Sequence, residues 1–221
     1  MCGKSLTRTV VITGGPIFDE AASLIMPEDK VVCADSGVDF AIANNIRPNE
    51  VYGDLDSISA EGRNFIEVSN IPLKTFPVEK DMTDTELAIR SCDPSSEILL
   101  ICSLQGRPDH VLTNILLVSR LRREGRNIIC SDGHTDMIPL FGKDEIHIDD
   151  VLDPTDKAIS LIPVSDEVAG VTTEGLYYPL NDATIVRGSS YSNSNELAQG
   201  ISSFSVSVNS GELLVVVTDK V

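Results

Sequence analysis

Five short apolar runs in the first 130 residues constrain the fold more than any other feature. Val10-Val11-Ile12-Thr13-Gly14-Gly15 reads as a strand entering a glycine turn, Lys30-Val31-Val32-Cys33-Ala34-Asp35 as a strand ending on an acid, and Glu50-Val51-Tyr52-Gly53-Asp54 as a third that does the same. Ile98-Leu99-Leu100-Ile101-Cys102 and Asn127-Ile128-Ile129-Cys130 complete the set. Continuous apolar runs separated by helical segments imply a parallel sheet covered on both faces. Between them, Thr83-Asp84-Thr85-Glu86 has the form of a capping box. Pro108 suits the first turn of a further helix, and Val111, Leu112, Ile115, Leu116 and Val118 are expected to form its apolar face.

After about residue 135 helical periodicity gives way to short β-rich segments. Glu145–Ile148, Ala158–Ile162, Phe204–Val208 and Glu212–Val217 are examples, and Asn209-Ser210-Gly211 is expected to turn a hairpin between the last two. The fold class expected is therefore α/β: an N-terminal, mostly parallel sheet with helices on both faces, over residues 1–134, followed by a smaller all-β sandwich or barrel, 135–221.

Composition narrows the function classes. The formal net charge of −17 opposes wrapping a nucleic-acid backbone, though not a polyphosphate that arrives with Mg²⁺. No apolar stretch approaches the roughly 20 residues needed to span a membrane, so no membrane or nucleic-acid partner is expected. The five cysteines, Cys2, Cys33, Cys92, Cys102 and Cys130, are odd in number and form no CxxC pair. Those in apolar runs read as small core hydrophobes in a reducing cytoplasm.

Acidic residues fall where a parallel sheet binds ligands, beyond the carboxyl ends of its strands. Asp35 follows the second strand and Asp54 and Asp56 the third, while Asp81, Asp84 and Glu86 open a helix. Arg107, Asp109 and His110 lie just after the strand ending at Cys102. Each group has an ordinary explanation: first-turn acids gain about 0.3–1 kcal/mol from the helix dipole, and Asp-x-Asp pairs are common on loops. Gathered at one sheet edge, however, they would repel one another by roughly several kcal/mol without a cation. Mg²⁺ suits such hard oxygen ligands and shares them readily with phosphates. No GxxxxGK[ST] sequence occurs in the first half, and Gly14-Gly15 is too short for a dinucleotide fingerprint. Acid-plus-Mg²⁺ chemistry with Lys80 and Arg107 as phosphate clamps remains.

The series Gly53-Asp54-Leu55-Asp56-Ser57, Glu79-Lys80-Asp81-Met82-Thr83-Asp84-Thr85-Glu86 and Gly106-Arg107-Pro108-Asp109-His110 resembles the motifs of thiamine pyrophosphokinases. Cys33-Ala34-Asp35-Ser36-Gly37 resembles that family's first acidic motif. Gly175-Leu176-Tyr177-Tyr178-Pro179-Leu180, Gly188-Ser189-Ser190 and Ser194-Asn195-Glu196 resemble its β-domain. The resemblance implies a cytoplasmic homodimer that transfers the diphosphate of ATP to thiamine. It also implies Asp54, Asp56, Asp81 and Asp84 as metal ligands and catalytic residues, with Asp35 beside them. Arg107 and Asp109 would act in catalysis; Lys80, Gln105, Arg107 and His110 would contact the nucleotide; and Ser194 and Asn195 would help close the vitamin pocket. The approach Cys102-Ser103-Leu104-Gln105 is less glycine-rich than the family pattern, which suggests a nucleotide contact for Gln105. With no tryptophan in the chain, Tyr191 is the candidate aromatic wall. The competing readings are a Mg²⁺-dependent phosphohydrolase, a non-catalytic nucleotide- or thiamine-binding module, and a pyrophosphokinase with another alcohol acceptor such as a pterin.

Overall fold

The computed structural model describes residues 8–54, 56–75 and 81–220, and its chain divides into two compact units. The first comprises the described part of Met1–Asn114 together with Arg126–His134; the second comprises Ile115–Gly125 and Thr135–Val221 as far as it is described.

Six parallel strands form the first unit, in the order β4-β3-β2-β1-β5-β6. They are β1 (Arg8–Ile12), β2 (Lys30–Ala34), β3 (Glu50–Tyr52), β4 (Leu73–Lys74), β5 (Glu97–Ile101) and β6 (Asn127–Ser131). Burial on both faces explains why their sequences run apolar without alternation: Val10, Val11 and Ile12 of β1 are all fully buried. One face, carrying Val10, Ile12, Val31, Cys33, Val51 and Leu99, packs on α1 (Gly37–Ala43) and α2 (Ala60–Val68). Against the strands of the sheet also lies α3 (Asp84–Ser91), with Ala88 and Ile89 buried. Successive strands step outward from β1 to β4, and β5 then returns to the other side of β1, so the direction of winding reverses between β1 and β5.

The second unit is a sandwich of antiparallel ladders. One ladder runs β7-β13-β9, built from β7 (Thr135–Phe141), β13 (Glu212–Asp219) and β9 (Lys157–Pro163). The other runs β11-β10-β12-β8, from β11 (Ala183–Val186), β10 (Glu167–Glu174), β12 (Phe204–Val208) and β8 (Asp144–Ile148). Alternate residues Phe204, Val206 and Val208 of one sheet and Leu213, Val215 and Val217 of the other share a core, as a sandwich requires.

That arrangement corrects the hairpin expected at Asn209-Ser210-Gly211. β12 pairs with β10 and β8, whereas β13 pairs with β7 and β9. The turn is a corner between sheets, tied down by bonds from the Asn209 and Ser210 amides to the Ala169 carbonyl (3.0 and 3.2 Å). β12 alternates with period two and β13 runs apolar from Leu213 to Val217, and neither pattern separates facing strands from paired ones.

The helix α4 (Pro108–Arg123) begins at proline, as expected. Its buried residues are Leu117, Val118, Ser119 and Leu121, while Leu112 and Leu116 stand 59% and 56% exposed, which corrects the expected apolar face. In the second unit its last turns are pinned by polar contacts: Arg122 makes a forked ion pair with Asp144, and Glu212 receives both Arg123 (2.7 Å) and the Ser119 hydroxyl (3.2 Å). Cys33, Cys92, Cys102 and Cys130 are buried thiols outside any disulfide; burial pushes the Cys33 thiol far up. Cys2 lies outside the described residues, and among the described residues no helix is long and apolar enough to cross a membrane.

Candidate active site

The reversal of winding between β1 and β5 marks, at the carboxyl edge of the sheet, the position where open α/β sheets take ligands. The loops that line it start directly from strand ends. Thr13-Gly14-Gly15 continues β1, and the Thr13 amide bonds to the Ile101 carbonyl at the end of β5 (2.9 Å). Gly15 has φ +112°, and a Cβ there would come within 3.0 Å of the Ser103 Cβ. The two loops thus pack backbone to side chain, and only glycine meets both the dihedral and the clearance. Ser103 in turn braces its own loop, donating to the Gln105 carbonyl (2.6 Å) and accepting from the Gln105 amide (3.3 Å). Sequence reasoning read Gly14-Gly15 only as a turn and gave Ser103 no role, because strand order, invisible in the sequence, is what makes their loops neighbours.

Asp35 ends β2 in the left-handed region, φ 50°, and its amide bonds to the Tyr52 carbonyl at the end of β3 (2.8 Å). Its carboxylate lies against Gly53: a Cβ on Gly53, whose φ is +140°, would sit 2.2 Å from the Asp35 Oδ1. The first acidic motif and the root of the second are therefore in direct contact. Asp54 then folds its loop by accepting the Asp56 amide (3.0 Å), leaving the Asp56 side chain exposed. Such an Asx turn presents two carboxylates on a short, self-bonded loop.

Asp81 is exposed, and Asp84 opens α3. Thr83 caps that helix by accepting the Glu86 amide (3.2 Å), and Glu86 forms an ion pair with Arg90 one turn on (2.8 Å). After β5, Arg107 and Asp109 make a close exposed pair (2.6 Å), and the guanidinium holds the Asp109 carboxyl below the usual carboxylate range. Gln105 and His110 are exposed at the same turn. Lys80, Leu55 and Glu79 lie outside the described residues.

The donor chemistry of these loops fits Mg²⁺. All candidate ligands are hard carboxylate oxygens, at least partly open to solvent. Among the described residues no three His, Cys, Asp or Glu side chains are already gathered as a metal cage. Mg²⁺ needs none, since it keeps waters and takes one or two carboxylates beside substrate phosphates.

In the second unit, Ser194 and Asn195 form their own constellation. Ser194 adopts φ 56° and donates its amide to the Ser160 hydroxyl (2.9 Å). The Asn195 amide group grips Tyr178 at both ends of its backbone: Oδ1 accepts the Tyr178 N–H (3.1 Å) and Nδ2 donates to its carbonyl (2.8 Å). The Tyr177 and Tyr178 rings meet edge to face at 4.8 Å, both more than half exposed. Tyr191, the expected aromatic wall, is 70% exposed on a loop whose amide bonds to Ser189.

Comparison with known proteins finds a family match in each half of the chain. Residues 21–130 match the family described as thiamin pyrophosphokinase, catalytic domain, and residues 143–213 match thiamin pyrophosphokinase, vitamin B1 binding domain. The chain is 31% identical over 201 residues to the thiamine pyrophosphokinase of Bacillus subtilis, covering 88% of this chain and 92% of that protein. Identity to thiamine pyrophosphokinase 1 of rice (Oryza sativa subsp. japonica) is 28% over 189 residues, 81% of this chain and 67% of the relative. The crystal structure of thiamine pyrophosphokinase from Bacillus subtilis superposes with a TM-score of 0.83 at 26% identity, covering 97% of this chain and all of that one. With both domain matches in order and a relative aligned over nearly its whole length, the chain belongs to the thiamine pyrophosphokinase family.

Proposed function

We propose that the protein is a thiamine diphosphokinase, moving the terminal diphosphate of ATP to the hydroxyl of thiamine with AMP as the second product. The observation that carries this reading, in a chain of this family, is the junction of Asp35 with Gly53 at the carboxyl edge of the sheet, where the Asp54–Asp56 loop begins. The division of labour follows: residues 1–134 hold ATP and Mg²⁺, and 135–221 hold the vitamin.

Phosphoryl transfer needs positioning and charge stabilisation more than covalent help from the protein. The thiamine oxygen attacks the β-phosphorus in line, the bond from that phosphorus to the α,β-bridging oxygen breaks, and the bridging oxygen leaves on AMP. Asp54, Asp56, Asp81 and Asp84 would hold Mg²⁺, which neutralises charge on the phosphate oxygens when bound. Asp35 braces the root of that loop. Lys80, Gln105, Arg107 and His110 orient the nucleotide. The attacking hydroxyl loses its proton to an aspartate. Asp81 and Asp109, both exposed, are the two candidates for this role.

On the vitamin side the geometry favours Tyr178 over Tyr191 as the aromatic wall, because the Asn195 grip fixes the backbone that aims Tyr178. Asn195 then shapes the pocket through Tyr178, with Ser194 beside it. Two exposed leucines one turn apart on α4, Leu112 and Leu116, support a homodimer that covers them. The reduced buried thiols support a cytoplasmic setting.

The test is AMP release from ATP and Mg²⁺ with and without thiamine, with products identified by mass. Thiamine-dependent AMP and thiamine diphosphate are expected, with Asp56→Ala lowering turnover at saturating Mg²⁺ at least a hundredfold, about the loss expected for one transition-state charge contact. Free phosphate without acceptor would point to a phosphohydrolase, and binding without AMP to a non-catalytic module.

A further inference from the structure

Beneath the acidic loops, on the first unit's sheet, four side chains form a closed polar network that the mechanism above does not use. Glu50 and Tyr52 lie two residues apart on β3 and so share a face; Tyr52 is paired directly with Lys74 of β4, and Glu50 with Val32, two residues along β2 from Lys30. The Lys74 ammonium donates to the Tyr52 hydroxyl (2.7 Å) and to Glu50 Oε2 (2.8 Å), and the Tyr52 hydroxyl donates to the same Glu50 oxygen (2.9 Å). Lys30 reaches the other oxygen, Oε1 (2.8 Å). The Lys74 nitrogen also lies 5.0 Å from the centre of the Tyr52 ring, which is itself only 1% exposed.

The position of this network gives it a task. β4 is two residues long, and its ladder with β3 is flanked by bonds from the Val51 amide to the Pro72 carbonyl (2.9 Å) and from the Gly53 amide to the Lys74 carbonyl (3.2 Å). So short a ladder fixes its strand weakly, and the side-chain triangle adds the missing constraint. One residue beyond Tyr52 is Gly53, root of the Asp54–Asp56 loop; the chain beyond Lys74 runs on to Asp81 and Asp84. The helix opened by Asp84, α3, packs against the same β2 and β3 strands. Displacement of the Tyr52 phenol from Lys74 would therefore change the spacing between the two acidic motifs.

We propose that Tyr52, Lys74 and Glu50 are positioning residues that fix the separation of the Asp54–Asp56 and Asp81–Asp84 motifs, and through it the affinity for the metal–polyphosphate. The proposal rests on those motifs being the metal site. Lys30 joins the same carboxylate from β2 but anchors neither acidic loop, which makes it a control for stability alone.

The experiment measures Mn²⁺ affinity by electron paramagnetic resonance in the presence of α,β-methylene-ATP, with melting temperature recorded in parallel. Tyr52→Phe, which keeps the ring, and Lys74→Met are expected to weaken Mn²⁺ binding roughly tenfold, the low end for outer-shell partners of a metal site. Lys74→Arg should restore most of it. Lys30→Met should lower the melting temperature and leave Mn²⁺ affinity unchanged. In steady-state assays the Mg²⁺ half-saturation should rise in Tyr52→Phe while the KM for thiamine stays put. Wild-type Mn²⁺ affinity in both Tyr52→Phe and Lys74→Met would overturn the positioning role, whatever their stability. Asp56→Ala serves as the reference: a loss there with none in the clamp variants removes only the clamp, whereas no loss in Asp56→Ala removes the metal-site reading beneath it.

Discussion

Glu50 shows how much a single residue's environment can be turned toward one charge state. Lys30, Lys74 and the Tyr52 hydroxyl all stabilise its carboxylate, and together they hold its pKa down from 4.5 to about 2. Its folded pKa lies below its unfolded one, so the unfolded chain binds the proton more readily. The stabilisation is complete above about pH 4.5 and is lost as pH falls toward about 2. Glu50→Gln should therefore flatten the fall in melting temperature between those limits and lower it at neutral pH. A pH series of thermal melts on the two proteins measures this; parallel curves would show that the carboxylate contributes nothing to the folded state's acid sensitivity. Asp109 is a contrasting case. Its pKa is also lowered, by Arg107, but the pair is fully exposed, and water and salt screen it.

At the scale of the element, α3 couples stability to the site because its first turn is also an acidic motif. The Thr83 hydroxyl satisfies one of the amides that a helix start leaves open. Thr83→Ala should destabilise the protein by about 1 kcal/mol, seen as a lower urea midpoint with an unchanged slope. Much of this level was legible in the sequence. Thr83 announced the cap, Pro108 the start of α4, and the strand ends carried the acids to one edge, because parallel strands all point their carboxyl ends the same way. Other features depended on distant partners and could not be read locally. Leu112 and Leu116 matched helical periodicity as well as Leu117 and Leu121 did, and only burial in the folded chain decided between them. β12 and β13, separated by Asn209-Ser210-Gly211, matched a hairpin in sequence, yet they face each other across a core. β4, two residues long, has too few side chains to produce a pattern. Gly15 and Ser103 are 88 positions apart in the chain (103 − 15), so their junction had no local signature. The same holds for the contact between Asp35 and Gly53.

For the whole molecule, the distribution of carboxylates separates folding from chemistry. Each unit carries an apolar core: Val10, Ile12 and Leu100 in the first, Phe204, Val206 and Leu213 in the second, are all 1% exposed or less. Among the described residues no acidic cage stands ready to be cross-linked by a cation. Chelation with EDTA should accordingly abolish AMP formation and leave the circular dichroism spectrum and melting temperature of the nucleotide-free protein where they were. A fall of more than a few degrees on chelation would show a structural ion instead.

The pinning of α4 has a consequence for how such a chain can be dissected. A stop codon after residue 134 follows the change in texture seen in the sequence, yet it would sever Arg122 from Asp144, and Ser119 and Arg123 from Glu212. The truncated product would keep a helix whose final turns had lost their counter-ions and the strands that bear them, and the released β-half would keep two carboxylates without their arginine partners. The boundary visible in the sequence and the boundary of the compact unit therefore differ: the last turns of the helix that opens at Pro108 belong with the strands of the second unit.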